Sequence, residues 1–92
     1  MRLFKFVVGS MQRPWQAADA FVWVDETAIH QAEARARHDL NALGWAVHEI
    51  KMATMPTPDE FKWLGHIERE CYRLALSQGV CSYVGPRRRV TT

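Results

Sequence analysis

The sequence holds no long apolar run, no cysteine framework, no glycine-rich loop and no large excess of either charge. Each absence removes a class of protein. The apolar N-terminal stretch is broken at Lys5, whereas a bilayer-spanning helix needs about 20 consecutive apolar residues. The same stretch is too short for a secretory h-region and has no A-x-A cleavage site. A soluble, intracellular chain with no membrane association is expected. Cys71 and Cys81 are the only cysteines. Two cysteines cannot build the framework of a small secreted domain, so reduced thiols in a cytoplasmic protein are expected. Cys71 should be the buried member of the pair and Cys81 the more reactive one. The glycines at 9, 44, 65, 79 and 85 are scattered, so there is no loop to cradle a phosphate.

Charge is balanced and dispersed. Twelve basic and 10 acidic residues leave a net charge of +2, which is not the profile of a strong nucleic-acid binder. The one basic run is Arg87, Arg88 and Arg89.

What is present is a chain of 92 residues, 48% of them hydrophobic, enough for one domain with one modest core. Its most informative stretch runs from Ala20 to Met52. A strand, AFVWV, leads into a helix ending at Gly44 and then into a second strand, WAVHEIKM. This β-α-β unit implies a right-handed crossover within one sheet. Leu3 to Val8 alternates as an earlier strand. If it pairs antiparallel with Ala20–Val24, the strand from Trp45 fits best on its other side, giving the order 2-1-3.

The first helix should start at Asp25 or Thr27, either of which can accept a hydrogen bond from a free first-turn amide. Ile29, Ala32, Ala36, Leu40 and Leu43 form its apolar stripe, and Glu33 with Arg37 makes an i,i+4 pair. The second helix has the clearest start, with Thr57 as N-cap, Pro58 at N1 and Glu60 at N3. Its stripe is Phe61, Leu64, Ile67, Cys71, Leu74 and Ala75, with Gly65 inside the helix and Gly79 at its end. Val80–Val84 reads as a short fourth strand.

Candidate chemistry is sparse. His30, His38, His48 and His66 have no HxxxH partner, and no CxxC occurs, so no metal site is assigned. His66 and Glu70 share an exposed helix face and read as a surface hydrogen bond. A Cys71 nucleophile is disfavoured by its apolar stripe. No catalytic residue and no cofactor are assigned. The connection Met11–Asp19 holds Arg13 and Trp15, residue types that bind an anion and stack on a flat ligand. Trp15, Trp23, Trp45 and Trp63 exceed the needs of a small core, so at least one should meet solvent or a partner. Tyr72 and Leu76 lie outside the second helix's stripe.

These features predict an α+β, two-layer β-β-α-β-α(-β) fold, a small mixed sheet with two helices on one face. Residues 1–84 form the domain, and 85–92 a flexible basic tail after Gly85-Pro86. The function that fits is a non-enzymatic interaction module, homodimeric through an apolar sheet or helix surface at Trp23, Tyr72 and Leu76. An unidentified protein partner is compatible with the same surface. The second reading is a weak nucleic-acid or anion binder using Arg13, Trp15, Arg87, Arg88 and Arg89.

Overall fold

A computed structural model describes residues 1–85 and the backbone of residues 88–89. The fold is α+β, in the order β1 (Arg2–Ser10), β2 (Gln16–Val24), α1 (Ile29–Ala42), β3 (Trp45–Thr54), α2 (Pro58–Phe61), α3 (His66–Gln78), β4 (Val80–Val84) and β5 (Arg88–Arg89). The sheet order is β3-β1-β2-β4, which contains the expected 2-1-3 arrangement. β1 pairs antiparallel with both β2 and β3. β2 and β3 therefore run parallel to each other, as the crossover through α1 requires, with β1 between them. β4 and β5 each pair antiparallel with β2. Since β1 occupies one edge of β2, β4 and β5 share the other.

β2 starts at Gln16 rather than at Ala20. Its first residues have low strand propensity, but Ala17 and Ala18 sit opposite Gly9 and Val8 and are buried, so pairing overrides propensity. The connection to β1 shrinks to Met11–Trp15.

Side-chain parity in β2 organises the core. Ala18, Ala20, Val22 and Val24 join Phe4, Phe6 and Val8 in one cluster, which Ala32, Ala36 and Leu40 of α1 close. Ala32 and Ala36 have no exposed surface; their small side chains let the helix approach the strands. Trp23, with Leu3, belongs to a second cluster with Cys71 and Ala75 of α3. Successive strand residues point to opposite sides, so α3 covers the Leu3–Trp23 side at the β2–β4 end of the sheet. Helices α1 and α3 are thereby held on alternate residues of the same strands, and so on opposite sides of the sheet, where both were expected on one face.

Both helix starts differ from expectation. α1 begins after Ala28, with no side-chain cap. Asp25 lies three residues before that start, its amide donating to the Gly79 carbonyl at 2.9 Å. Glu26 instead accepts from the amides of Thr27 and Ala28 at 3.0 and 3.2 Å. The Glu33–Arg37 pair forms at 3.2 Å. Ile29 and Leu43, at the ends of the predicted stripe, are exposed.

The Thr57 cap forms as read, accepting from the Glu60 amide at 3.2 Å. The helix behind it is only Pro58–Phe61. Gly65, expected inside one long helix, has extended backbone and is the N-cap of α3. A Cβ there would meet nothing within 4 Å, so its role is to break the helix and not to permit close packing. Arg69 closes the break by donating to the carbonyls of Leu64 and Lys62 at 3.1 and 2.8 Å. The two segments turn relative to one another, leaving Ile67 and Leu74 exposed while Cys71 and Ala75 stay buried.

Gly79 ends α3 with φ +90. The Arg35 guanidinium packs where a Cβ would stand and donates to the Gln78 carbonyl at 3.3 Å, placing a cation at the negative end of the helix.

Cys71 and Cys81 are joined in a disulfide, with Cα atoms 5.5 Å apart. This corrects the expectation of two reduced thiols of unequal reactivity: neither is free. The α3–Gly79–β4 hairpin sets Cys71 over Cys81, an adjacency invisible in a sequence separation of 10. Part of the expected flexible tail is also paired, since Arg88 and Arg89 lie opposite Ala17 and Gln16. Residues 86, 87 and 90–92, including Arg87, lie outside the described residues.

The native, oxidised protein is expected to show no thiol reactive to a chromogenic disulfide reagent. Replacing both cysteines with serine should cost about 2–3 kcal/mol, the entropy of closing so short a loop, read as a lower denaturation midpoint. Two titratable thiols in the unreduced native protein would contradict the bond.

Candidate functional site

The described residues contain no group of three or more His, Cys, Asp or Glu side chains able to hold a metal ion. None of their helices is long and apolar enough to cross a membrane. Glu70, considered as a partner for His66, is instead bridged by Arg73 at 2.7 Å. What remains is surface. An apolar depression of about 390 Å³ opens between Trp23, Phe61, Tyr72, Met55 and Pro56, and three further regions stand out among the described residues.

The first is the β4 edge. β3 and β4 are the outer strands of the sheet path. β3 carries His48, Glu49 and Lys51 and is shifted in register twice against β1. Those charges and irregularities are what protect an edge from pairing with another chain. β4, VCSYV, has no charged residue and no bulge against β2. Beside it stands a flank of α3. At 100° per residue, Ile67 and Leu74 lie on one side of Cys71 and Tyr72 on the other. Tyr72 turns toward the sheet, its ring centroid 5.0 Å from that of Trp23 and 4.8 Å from that of Phe61. Ile67 and Leu74 are therefore on the outward flank, over the β4 edge, and are 48% and 45% exposed.

The second region is the uncovered part of the Trp23 side of the sheet. α3 covers Leu3 and Trp23; in the next row Phe21 packs against the same cluster but stays partly open. There Lys5 is opposite Phe21, and Phe21 is opposite Tyr83. The three side chains leave the same side of three adjacent strands. The Phe21 and Tyr83 rings are 5.2 Å apart at 32°. They line a depression of about 320 Å³ that Lys51 and Asp19 also border.

The third region is the end of the sheet around the β1–β2 connection. The Arg13 amide donates to Ser10 Oγ at 3.0 Å, and the Gln16 amide to the Arg13 carbonyl at 2.8 Å. These bonds fold the connection into a tight turn. Ser10, Gln12, Arg13 and Gln16 line a polar depression of about 230 Å³ with Gly44 and Trp45. Trp15 is 53% exposed. Because β5 pairs with Gln16 and Ala17, Arg88 and Arg89 occupy positions at this same end. Residues 9–18 and 40–48 contain no Asp or Glu. The topology thus brings together Arg13, Trp15, Arg88 and Arg89, far apart in sequence.

The proposed interface residues fare differently. Trp23 is 1% exposed, its indole N–H donating to the Glu68 carbonyl at 3.0 Å, and it meets the surface only where it lines the depression with Tyr72 and Phe61. Tyr72 is half-buried between Trp23 and Phe61. Leu76 is exposed, beyond Tyr72 on the same flank of α3. Sequence reasoning missed Ile67 and Leu74 by placing them in the buried stripe, and missed Phe21–Tyr83 because cross-strand register is not written locally.

No protein-family model matches the chain, nor does any curated protein or solved structure.

The surplus of tryptophan resolves into two classes. Trp63 is 87% exposed and Trp15 half-exposed, whereas Trp23 and Trp45 are buried. Acrylamide should quench roughly two classes of indole, and replacing Trp15 and Trp63 with Phe should remove the accessible class. Efficient quenching that survives the double substitution would mean that Trp23 or Trp45 is open to solvent.

Proposed function

We propose that this protein is a non-enzymatic interaction module that self-associates, and that the interface is the β4 edge. The observation that carries the reading is the contrast between the two outer strands. β3 carries charge and irregularity along its length, while β4 carries neither. A regular, uncharged edge is a template for a further strand. A second copy is the fitting occupant because β4 can pair antiparallel with itself about a two-fold axis normal to the sheet. That operation keeps α3 of both copies on one side and brings their Ile67–Leu74 flanks together above the joined strands. Backbone pairing supplies register, and the two aliphatic residues supply apolar burial. This replaces the surface expected at Trp23 and Tyr72, whose rings serve the interior.

A cytoplasmic location is expected from the cysteine count; a standing Cys71–Cys81 bond favours an oxidising compartment instead.

Sedimentation velocity at micromolar concentration should show a dimer. Leu74→Lys and Ile67→Lys should each weaken it at least about tenfold, equivalent to about 1.4 kcal/mol. Both residues are about half exposed in the single chain, so the melting temperature of the monomer should move little. A wild-type chain that sediments as a monomer at hundreds of micromolar would rule the dimer out; a dimer indifferent to both substitutions would move the interface elsewhere.

A further inference from the structure

Apart from the Tyr83 backbone in β4, the row Lys5–Phe21–Tyr83 is not used by the proposed dimer interface. It has a chemistry of its own. Two aromatic rings lie on neighbouring strands of a sheet face that α3 leaves partly open at this point, with a lysine directly in line. Tyr83 is exposed and Phe21 partly so, although Phe21 sits in the middle of β2, flanked by the buried Ala20 and Val22. Lys51 approaches the same depression from β3. The register shift between Lys5 and Phe6 leaves Lys51 without a pairing partner on β1. Bulged residues are re-aimed relative to the strand.

Flat aromatic faces bordered by ammonium groups suit a nucleobase whose phosphate lies beside it. Base–aromatic stacking tolerates any base, and the lysines act as point charges for phosphate. A free mononucleotide and a nucleotide within a strand share this chemistry. The charge distribution selects the strand. Four residues down β2 from Phe21, and so on the same side of the sheet, lies Ala17, about 14 Å away at the rise of an extended chain. Just beyond it is the β1–β2 turn, with Arg13 and the exposed Trp15, in a stretch, residues 9–18, that holds no carboxylate. A single nucleotide cannot span that distance; a short single strand can. Between the two ends stands Asp19, in the row below Phe21. It offsets one lysine, so stacking must carry as much of the affinity as charge does. A duplex cannot use the rings, because its bases are already stacked.

We infer that the open side of the sheet binds single-stranded nucleic acid, with bases stacked on Phe21–Tyr83, phosphates held by Lys5 and Lys51, and the strand continuing toward Arg13 and Trp15. This reading is independent of the dimer.

The test is fluorescence anisotropy of a labelled oligothymidylate and the matching oligouridylate at low salt, beside a hairpin duplex, heparin and thymidine monophosphate. The single strands should bind, and the duplex and heparin should bind markedly less well. Tyr83→Ala should weaken single-strand binding about tenfold, within the range of one lost base stack, while Tyr83→Phe should leave it unchanged. Lys5→Gln and Lys51→Gln should each reduce the slope of log affinity against log salt by about 0.7. Should Tyr83→Ala fail to fold, as judged by its thermal melt, the two lysine variants decide, since both side chains are exposed. No binding of any single strand at low salt overturns the inference. So does equal affinity for duplex and heparin, which would leave charge attraction alone. Competition by the mononucleotide at the oligonucleotide's own concentration would assign the depression to a free nucleotide and overturn the strand.

Discussion

The register of β2 against β1 is the constraint on which the rest of the molecule depends. Because Leu3 faces Trp23 and Phe4 faces Val22, the alternating residues of β2 are sorted by size. The small and branched set, Ala18, Ala20, Val22 and Val24, receives α1. The aromatic set, Phe21 and Trp23, is left for α3 and solvent. A slip of one residue would exchange the sets. Trp23 would meet the alanine face of α1, which has no room for an indole, and the valines would face a helix whose polar Glu68 carbonyl now accepts the indole proton. One register therefore satisfies both helices at once, and no neighbouring register satisfies either.

That arrangement also makes the surface uneven in a useful way. α3 is short and is tied to β4 at one end of the sheet by the tight turn at Gly79 and by the Cys71–Cys81 bond. It covers Leu3 and Trp23 but leaves the row of Lys5, Phe21 and Tyr83 partly open. The same tie sets the outward flank of the helix, with Ile67 and Leu74, above the free side of β4. Covered core, open aromatic row and uncharged edge are thus consequences of where one 13-residue helix is anchored. A two-fold axis normal to the sheet at β4 would place the open rows of two copies on one side of a continuous sheet.

Gly65 shows how a single residue redirects such a surface. Read as a helix interior, it leaves Phe61 to Ala75 on one stripe. As a helix break, it changes the phase between Phe61 and the residues after it. Phe61 still meets Tyr72, but through the turn held by Arg69. Ile67 and Leu74 pass from predicted core to exposed flank. The helix propensities of the flanking residues are good, so local preference alone favours continuation. Breaking the helix lets Tyr72 cover Trp23 while Cys71 meets Cys81, and that gain is tertiary.

What the sequence determined by itself is everything carried by local period and local capping. The strand–helix–strand unit from β2 to β3, the alanine face of α1, the Thr57 cap and the Glu33–Arg37 pair follow from spacing within a turn or a pleat. What only the tertiary structure decided is everything that depends on pairing between distant segments. The start of β2 at Gln16 depends on burial against β1. The disulfide depends on the hairpin that stacks α3 on β4. The aromatic row depends on three strands in register, and the gathering of Arg13 and Trp15 with Arg88 and Arg89 depends on β5 joining the edge of β2. Local rules fix which way a side chain can point; they do not say what stands opposite. In a molecule whose candidate sites are all built across strands, that second quantity is the one that confers function.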